Sequence, residues 1–227
     1  MEHLIDALLM LALVLGFVCL GFRQVYRCIV AVAIQGVVTG ILLMLAHLES
    51  LDPLLIGVAV ASILVKGLAV PVLLARSAQR QQIEQRIEPY LGFNTSMLIG
   101  TLGFGGALWL AASLKLPYAI SSDLVVPISL ATVFIGLVAL VSRRKAVTQV
   151  VAYLVLDNGI FMFGLVLVPA LPVLVEMGVL LDLFAAVFVM GVTIHNINRQ
   201  FDHIDTSRMS QLNDLVPGLS WGRWRRR

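Results

Sequence analysis

The sequence predicts an all-α integral membrane bundle of about seven transmembrane helices, and three observations carry that expectation. The 227 residues are 59% hydrophobic and only 13% charged, where a soluble domain carries about 25% charged residues. The mean hydropathy is +0.97. The deficit of charge means that most of the surface faces something other than water, and nothing marks off a second, soluble domain. Stretches long enough to cross a hydrocarbon core recur along the chain, and basic residues fall on alternate loops.

A core of roughly 30 Å needs about 20 apolar residues of helix. The stretches that qualify are Leu4–Phe22, Cys28–His47, Pro53–Ala75, Ser96–Ser113, Leu124–Ser142, Ala146–Val168 and Pro172–Ile197. Asp6 and the lack of a basic run before the first stretch mark it as a retained helix rather than a cleaved signal. Loop one carries Arg23 and Arg27, loop three Arg76, Arg80 and Arg86, and loop five Arg143, Arg144 and Lys145. The tail carries Arg199, Arg208, Arg223 and Arg225–Arg227. The opposite side holds Lys115 and the acids Glu2, Asp6, Glu49, Asp52, Asp123 and Glu176. The positive-inside rule then places the N-terminus outside and the C-terminus inside, which needs an odd number of helices.

Residues 1–198 thus read as one membrane domain and 199–227 as a cytoplasmic tail. Within the first, 77–93 reads as an amphipathic cytoplasmic segment, with Ile83, Ile87 and Leu91 recurring every four residues. The tail's Trp221-Gly-Arg-Trp-Arg-Arg-Arg ending fits an anchor at anionic headgroups or a strip that docks a cytoplasmic partner. Two cysteines, Cys19 and Cys28, are too few for a thiolate-bound cluster, and their place near a reducing compartment argues against a disulfide.

Three ionisable residues lie where lipid forbids them. Lys66 is deep in the third stretch, Asp157 in the sixth and Asp182 in the seventh, each roughly 15–20 Å below the outer surface at about 1.5 Å per residue. Each costs roughly 2.5–3.5 kcal/mol there on the insertion scale. That cost is tolerated where there is an ion pair, a hydrated path or a proton relay. One reading is an internal salt bridge of Lys66 with one aspartate that only joins helices, which leaves the second carboxylate over. The other is participation in ion or proton movement, with the two aspartates close enough to share a proton. Gln35, Gln149, Asn158 and Asn94 fit hydrogen bonds between helices, and Gly100, Gly103, Gly105 and Gly106 fit close helix packing. Pro71 and Pro127 are expected to kink their helices. His3 and His47 fall outside, His195 and His203 inside, so no pair can clamp a haem iron. No phosphate loop, serine elbow or zinc spacing occurs.

The last three helices, 124–198, resemble the small K-type subunit of complex I and the C-type subunit of Mrp cation antiporters. The resemblance rests on Ser142-Arg-Arg-Lys145, then Tyr153-Leu-Val-Leu-Asp-Asn158, then Leu181-Asp-Leu-Phe-Ala-Ala186. The polar end Arg199…Ile204-Asp205…Leu212 also fits. Asp182 matches the second buried acid of that family in place. Leu154 occupies the position of the first, and Asp157 stands three residues later on nearly the same helix face.

The full length resembles component E of hydrogenase-4 and formate hydrogenlyase complexes. The matching runs are Lys66-Gly-Leu-Ala-Val-Pro71, Ile87-Glu-Pro-Tyr-Leu-Gly92, Arg143-Arg-Lys145, Leu156-Asp-Asn-Gly-Ile-Phe161 and Phe201-Asp-His-Ile-Asp-Thr206. The resemblance implies a non-catalytic membrane subunit of an oxidoreductase complex in a bacterial cytoplasmic membrane. Its partners would be lipid, antiporter-like subunits and the membrane anchor of a redox arm, with no nucleic acid and no cofactor of its own. Asp157, Asp182 and Lys66 would form the relay, with Asn158, Gln149 and His195 as supporting polar groups. A passive scaffold and a freestanding ion transporter are the competing functions, though no inverted repeat of the kind many transporters carry is evident.

Overall fold

The computed structural model describes residues 2–46, 53–80, 92–114, 122–143 and 146–167, and every regular element among them is helical. The chain divides into two compact units, Met1–Val192 and Thr193–Arg227; all described residues belong to the first. Helix α1 spans Glu2–Gly21 and α2 spans Val25–Ala46. A third rod runs as α3 (Pro53–Ser62), a π-helical stretch (Ile63–Ala69) and α4 (Val70–Arg80) without a break. Then follow α5 (Phe93–Ser113), α6 (Val125–Ser142) and α7 (Ala146–Leu167).

Six of these helical rods are long and apolar enough to cross a membrane. They coincide with the first six expected spans to within a few residues, the third rod running on to Arg80. The seventh expected span, Pro172–Ile197, lies outside the described residues. So do most of the 77–93 segment and the whole tail. Large apolar side chains cover the outer surface: Trp109, Leu102, Leu98 and Leu68 are all more than 60% exposed. In water such a surface would aggregate; in lipid it costs nothing, because hydrocarbon is as apolar as leucine.

With no hydrophobic drive between helices in lipid, association depends on close van der Waals contact, and glycine supplies it at two crossings. At α2 against the third rod, a Cβ on Gly36 would lie 2.8 Å from Lys66 Cβ, and one on Gly40 2.3 Å from Ile63 Cγ1. At α6 against α7, a Cβ on Gly136 would meet the Leu156 Cα at 2.5 Å, and one on Gly159 the Val133 nitrogen at 2.6 Å. Helix α2 thereby sits among α1, α7 and the third rod, while α6 packs on α1, α5 and α7. Helix α5 is the least covered. Gly100 packs on Leu20 and Gly103 on Phe134, but Gly105 and Gly106 face no other described residue within 4 Å. Those two were expected at a helix contact and are open on this surface.

The prolines behave differently from each other. Pro127 lies in the first turn of α6, where a missing N–H leaves no helical bond unmade, so the expected kink has no cause there. Pro71 stands two residues after the end of the π stretch. Its ring would press on the carbonyl four residues back, and the wider turn, in which the Val70 N–H bonds to the Val65 carbonyl, makes room.

The ends of the bundle are tied by polar contacts. At one end the Ser122 hydroxyl donates to Asp6 Oδ1 and accepts from the Leu124 N–H at 3.1 Å, linking the start of α1 to the start of α6. At the other, Arg143 Nη2 donates to the carbonyls of Cys19 at 2.7 Å and Leu20 at 3.0 Å. A buried cation therefore caps the negative end of α1. Burial lowers the Arg143 pKa from the ordinary value, yet the guanidinium stays charged at physiological pH. Phe93, the first residue of α5, lies between Arg143 (5.4 Å) and Arg23 (4.9 Å).

Gly136→Val is expected to lower the unfolding free energy in mixed micelles by about 1–3 kcal/mol, as overpacking does. Gly105→Ala should leave it unchanged or slightly raised. Equal losses from both substitutions would contradict the packing described.

Candidate functional site

Two of the buried charges among the described residues, Lys66 and Asp157, meet at the centre of the bundle. Lys66 stands 13 residues after Pro53 and 14 before Arg80 in the third rod. Asp157 stands 11 residues after Ala146 and 10 before Leu167 in α7. At about 1.5 Å per residue Lys66 is roughly 20 Å and Asp157 roughly 15 Å from either end of its rod, so both fall near the middle of a hydrocarbon core of about 30 Å. Lys66 Nζ lies 2.7 Å from Asp157 Oδ2, with side chains 5% and 2% exposed.

Lys66 is held from a second direction by Phe161, whose ring centroid is 4.4 Å from Nζ. Phe161 is four residues after Asp157, and i, i+4 neighbours share a helix face, so one face of α7 presents a carboxylate and an aromatic ring to the same ammonium. A desolvated cation–π contact contributes about 2 kcal/mol. Removing one partner of a buried ion pair costs about 3–5 kcal/mol, so charge pairing dominates. Gly36 lets the Lys66 backbone approach α2, and the π stretch centres on Lys66 itself. Such single wide turns are frequent at functional sites. Ser62, one turn earlier on the rod, has its hydroxyl oxygen buried with no hydrogen-bond partner among the described residues.

Beside the pair runs a neutral polar chain. Asn158 Nδ2 donates to Gln35 Oε1 at 3.3 Å, and Gln35 Nε2 donates to the Ala12 carbonyl at 3.0 Å. Gln35 and Ala12 are themselves at mid-helix in α2 and α1. Neighbouring residues Asp157 and Asn158 therefore connect the charged pair to two further helices, all fully buried.

The expected site residues divide as follows. Lys66, Asp157 and Asn158 come together, with Gln35 joined to them. Gln149 does not: it is exposed, and its Nε2 donates to the Arg143 carbonyl at 3.0 Å, two turns and a half from Asn158 along α7. Asp182 and His195 lie outside the described residues. Leu154 is buried in α7 and carries no charge to the site. Phe161 and Ser62 were missed because an aromatic or a serine in an apolar run carries no mark of its own. The Gly36–Gly40 spacing beside Gln35 was the legible signal for a close approach at Lys66. Among the described residues no three histidine, cysteine or acidic side chains cluster as metal ligands do.

The fold and the site thus define a class: a multi-span helical membrane protein with an ion pair and an amide chain at its mid-plane. Comparison places it more closely. The chain belongs to the family of the uncharacterized protein Rv0085 of Mycobacterium tuberculosis, with which it is 32% identical over 213 residues, 89% of this chain and 93% of that one. It is also 29% identical to hydrogenase-4 component E of Escherichia coli over 178 residues, 78% of this chain and 81% of that protein. Component E of Shigella flexneri is similar to the same degree. No protein-family model matches the chain, and no solved structure does.

Lys66→Met should lower the unfolding free energy in mixed micelles by about 3–5 kcal/mol, because it strands a buried carboxylate. Pairing it with Asp157→Leu should recover most of the loss. A double variant as unstable as the single one would mean that the two side chains do not interact as described.

Proposed function

We propose that this protein is a membrane subunit of a hydrogenase-type, complex I-like redox complex in a bacterial cytoplasmic membrane. In this reading it couples electron transfer in a neighbouring arm to proton or cation movement through buried acids. The observation that carries the proposal is the Lys66–Asp157 pair, enclosed at mid-span. The similarity to hydrogenase-4 component E supports the setting: that protein's name makes it one component of a larger enzyme. Antiporter-like membrane subunits and the membrane anchor of a hydrogenase or formate hydrogenlyase-like arm are the partners that this setting calls for.

The chemistry follows from the low dielectric. A change of charge in a neighbouring subunit acts strongly on an ion pair enclosed in an apolar interior, and in this reading the pair passes that change onward as proton or cation movement. Asp182, the other carboxylate expected at mid-span from sequence, is the receiving group in this reading, and Asn158 with Gln35 holds Asp157's helix in register. The second reading, a passive scaffold, is favoured by one observation: a closed ion pair also joins the third rod to α7 without any transfer.

Purification of a tagged chain in mild detergent should bring with it antiporter-like and hydrogenase-type subunits; a chain that runs alone would overturn the proposal. In vesicles bearing the complex, Asp157→Asn and Asp182→Asn should each reduce protons moved per electron several-fold while redox turnover persists. Unchanged stoichiometry in both, and in the double variant, would leave the scaffold. For orientation, single cysteines at Tyr26 and Asp123, both exposed, are placed in a chain whose own two cysteines are serine. The Tyr26 site should react with an impermeant maleimide only from the cytoplasmic side and the Asp123 site only from outside. Reaction of both from one side would remove the topology on which the reading rests.

A further inference from the structure

Away from the mid-plane, the arginine-rich end of the bundle holds a second cluster that the relay does not use. Cys19, in the last turn of α1, and Cys28, in the first turns of α2, are both free and buried. Each sulfur lies against the other residue's main chain: Cys19 Sγ is 3.7 Å from the Cys28 carbonyl oxygen and Cys28 Sγ is 3.8 Å from that of Cys19. Arg143 reaches in from the end of α6. Its Nη2 is occupied by the Cys19 and Leu20 carbonyls, but its Nη1 is buried with no hydrogen-bond partner among the described residues. Cys19, Cys28 and Arg143 line one small cavity with Ala139, Thr148 and Ala152. Its volume is about 10 Å³, room for about one water.

The carbonyls of α1 account for Arg143 Nη2 but not for Nη1, and a buried N–H without a partner is costly to keep. Its place beside two buried sulfurs is accounted for if the cavity has a redox use. We propose that Cys19 and Cys28 form an oxidisable dithiol, closed to a disulfide by a peroxide-sized oxidant, with Arg143 as its positioning residue. Cys28 is the nucleophile, because it stands near the positive N-terminal end of α2 whereas Cys19 stands at the negative end of α1. The Cys28 thiolate sulfur attacks one oxygen of hydrogen peroxide. The O–O bond breaks, Cys28 becomes a sulfenic acid, and the departing hydroxide takes up the proton that left Cys28, giving water. The Cys19 sulfur then attacks the Cys28 sulfur and expels hydroxide, which takes the Cys19 proton as a second water. Two electrons pass from the two sulfurs to the peroxide, and a dithiol reductant returns them. The product staples the α1–α2 hairpin beside the arginine that ties α1 to α6.

The test uses the full chain in native membranes treated with graded hydrogen peroxide, then denatured and labelled with a mass-tagged maleimide. Both tags should be lost together, regained with dithiothreitol, and replaced by one peptide cross-linking residues 19 and 28 within a chain. Undenatured protein should take no maleimide, which is too bulky for the cavity, even while peroxide acts. Arg143→Gln should slow oxidation about ten-fold, as loss of a neighbouring cation does for a thiolate, and Arg143→Lys should hold it within about two-fold; the lysine variant keeps the test open if the glutamine variant folds poorly. Retention of both tags at peroxide levels that oxidise an engineered exposed cysteine pair would refute the site, as would cross-links only between chains. An Arg143→Gln rate equal to that of the unaltered chain would remove the role given to the arginine.

Discussion

The arrangement of the helices depends on a single constraint: a lysine and an aspartate at the centre of a hydrocarbon layer must find each other. Neither charge can reach water, since Lys66 is about 20 Å and Asp157 about 15 Å from either end of its rod. Lys66 and Asp157 are 91 residues apart in sequence, so satisfying them fixes where the third rod stands against α7. The other close contacts serve that placement. Gly36 and Gly40 remove the side chains that would hold α2 away from the third rod, and Gly136 and Gly159 bring α7 hard against α6. Gln35 then fills the space between α1, α2 and α7 with amide hydrogen bonds.

The polar groups are sorted by depth, and each depth uses different chemistry. At mid-plane there is a charge pair and an uncharged amide chain. At the arginine-rich end a guanidinium serves the carbonyls of α1 and shares an aromatic ring with a second arginine. At the opposite end a serine and an aspartate join two helix starts. Helix ends have unmade backbone bonds and accept such partners; a helix centre has none to offer, so side chains there must satisfy one another.

Much of this could be read from the sequence because lipid makes the rules strict. Apolar length alone gave the spans, and a lysine or aspartate within one is conspicuous. That Lys66 would be covered by protein, with an aspartate as the natural partner, followed from the cost of leaving it in lipid. Which aspartate it meets did not follow, because depth constrains position along the membrane normal and says nothing about azimuth. Gln149 shows the same limit: its side chain turned out to serve a loop carbonyl, since a glutamine near a helix start has a free backbone acceptor close by. The Cys19–Cys28 contact was hidden for a further reason. The short loop between the first two expected spans does not reveal that the hairpin is tight enough to set each cysteine sulfur against the other cysteine's carbonyl.

The π stretch in the third rod has a consequence for register. A turn that bonds five residues back, rather than four, behaves as one residue inserted into an α-helix, about 100° of rotation in a 3.6-residue turn. The apolar stripes of Pro53–Ser62 and Val70–Arg80 are therefore out of phase by roughly that angle, and no single helical wheel describes the rod. Its first half is set against α2, and its second against both α2 and α7. The segment between them acts as a phase corrector: it lets one continuous span present two differently directed faces, with the lysine at the point where the direction changes.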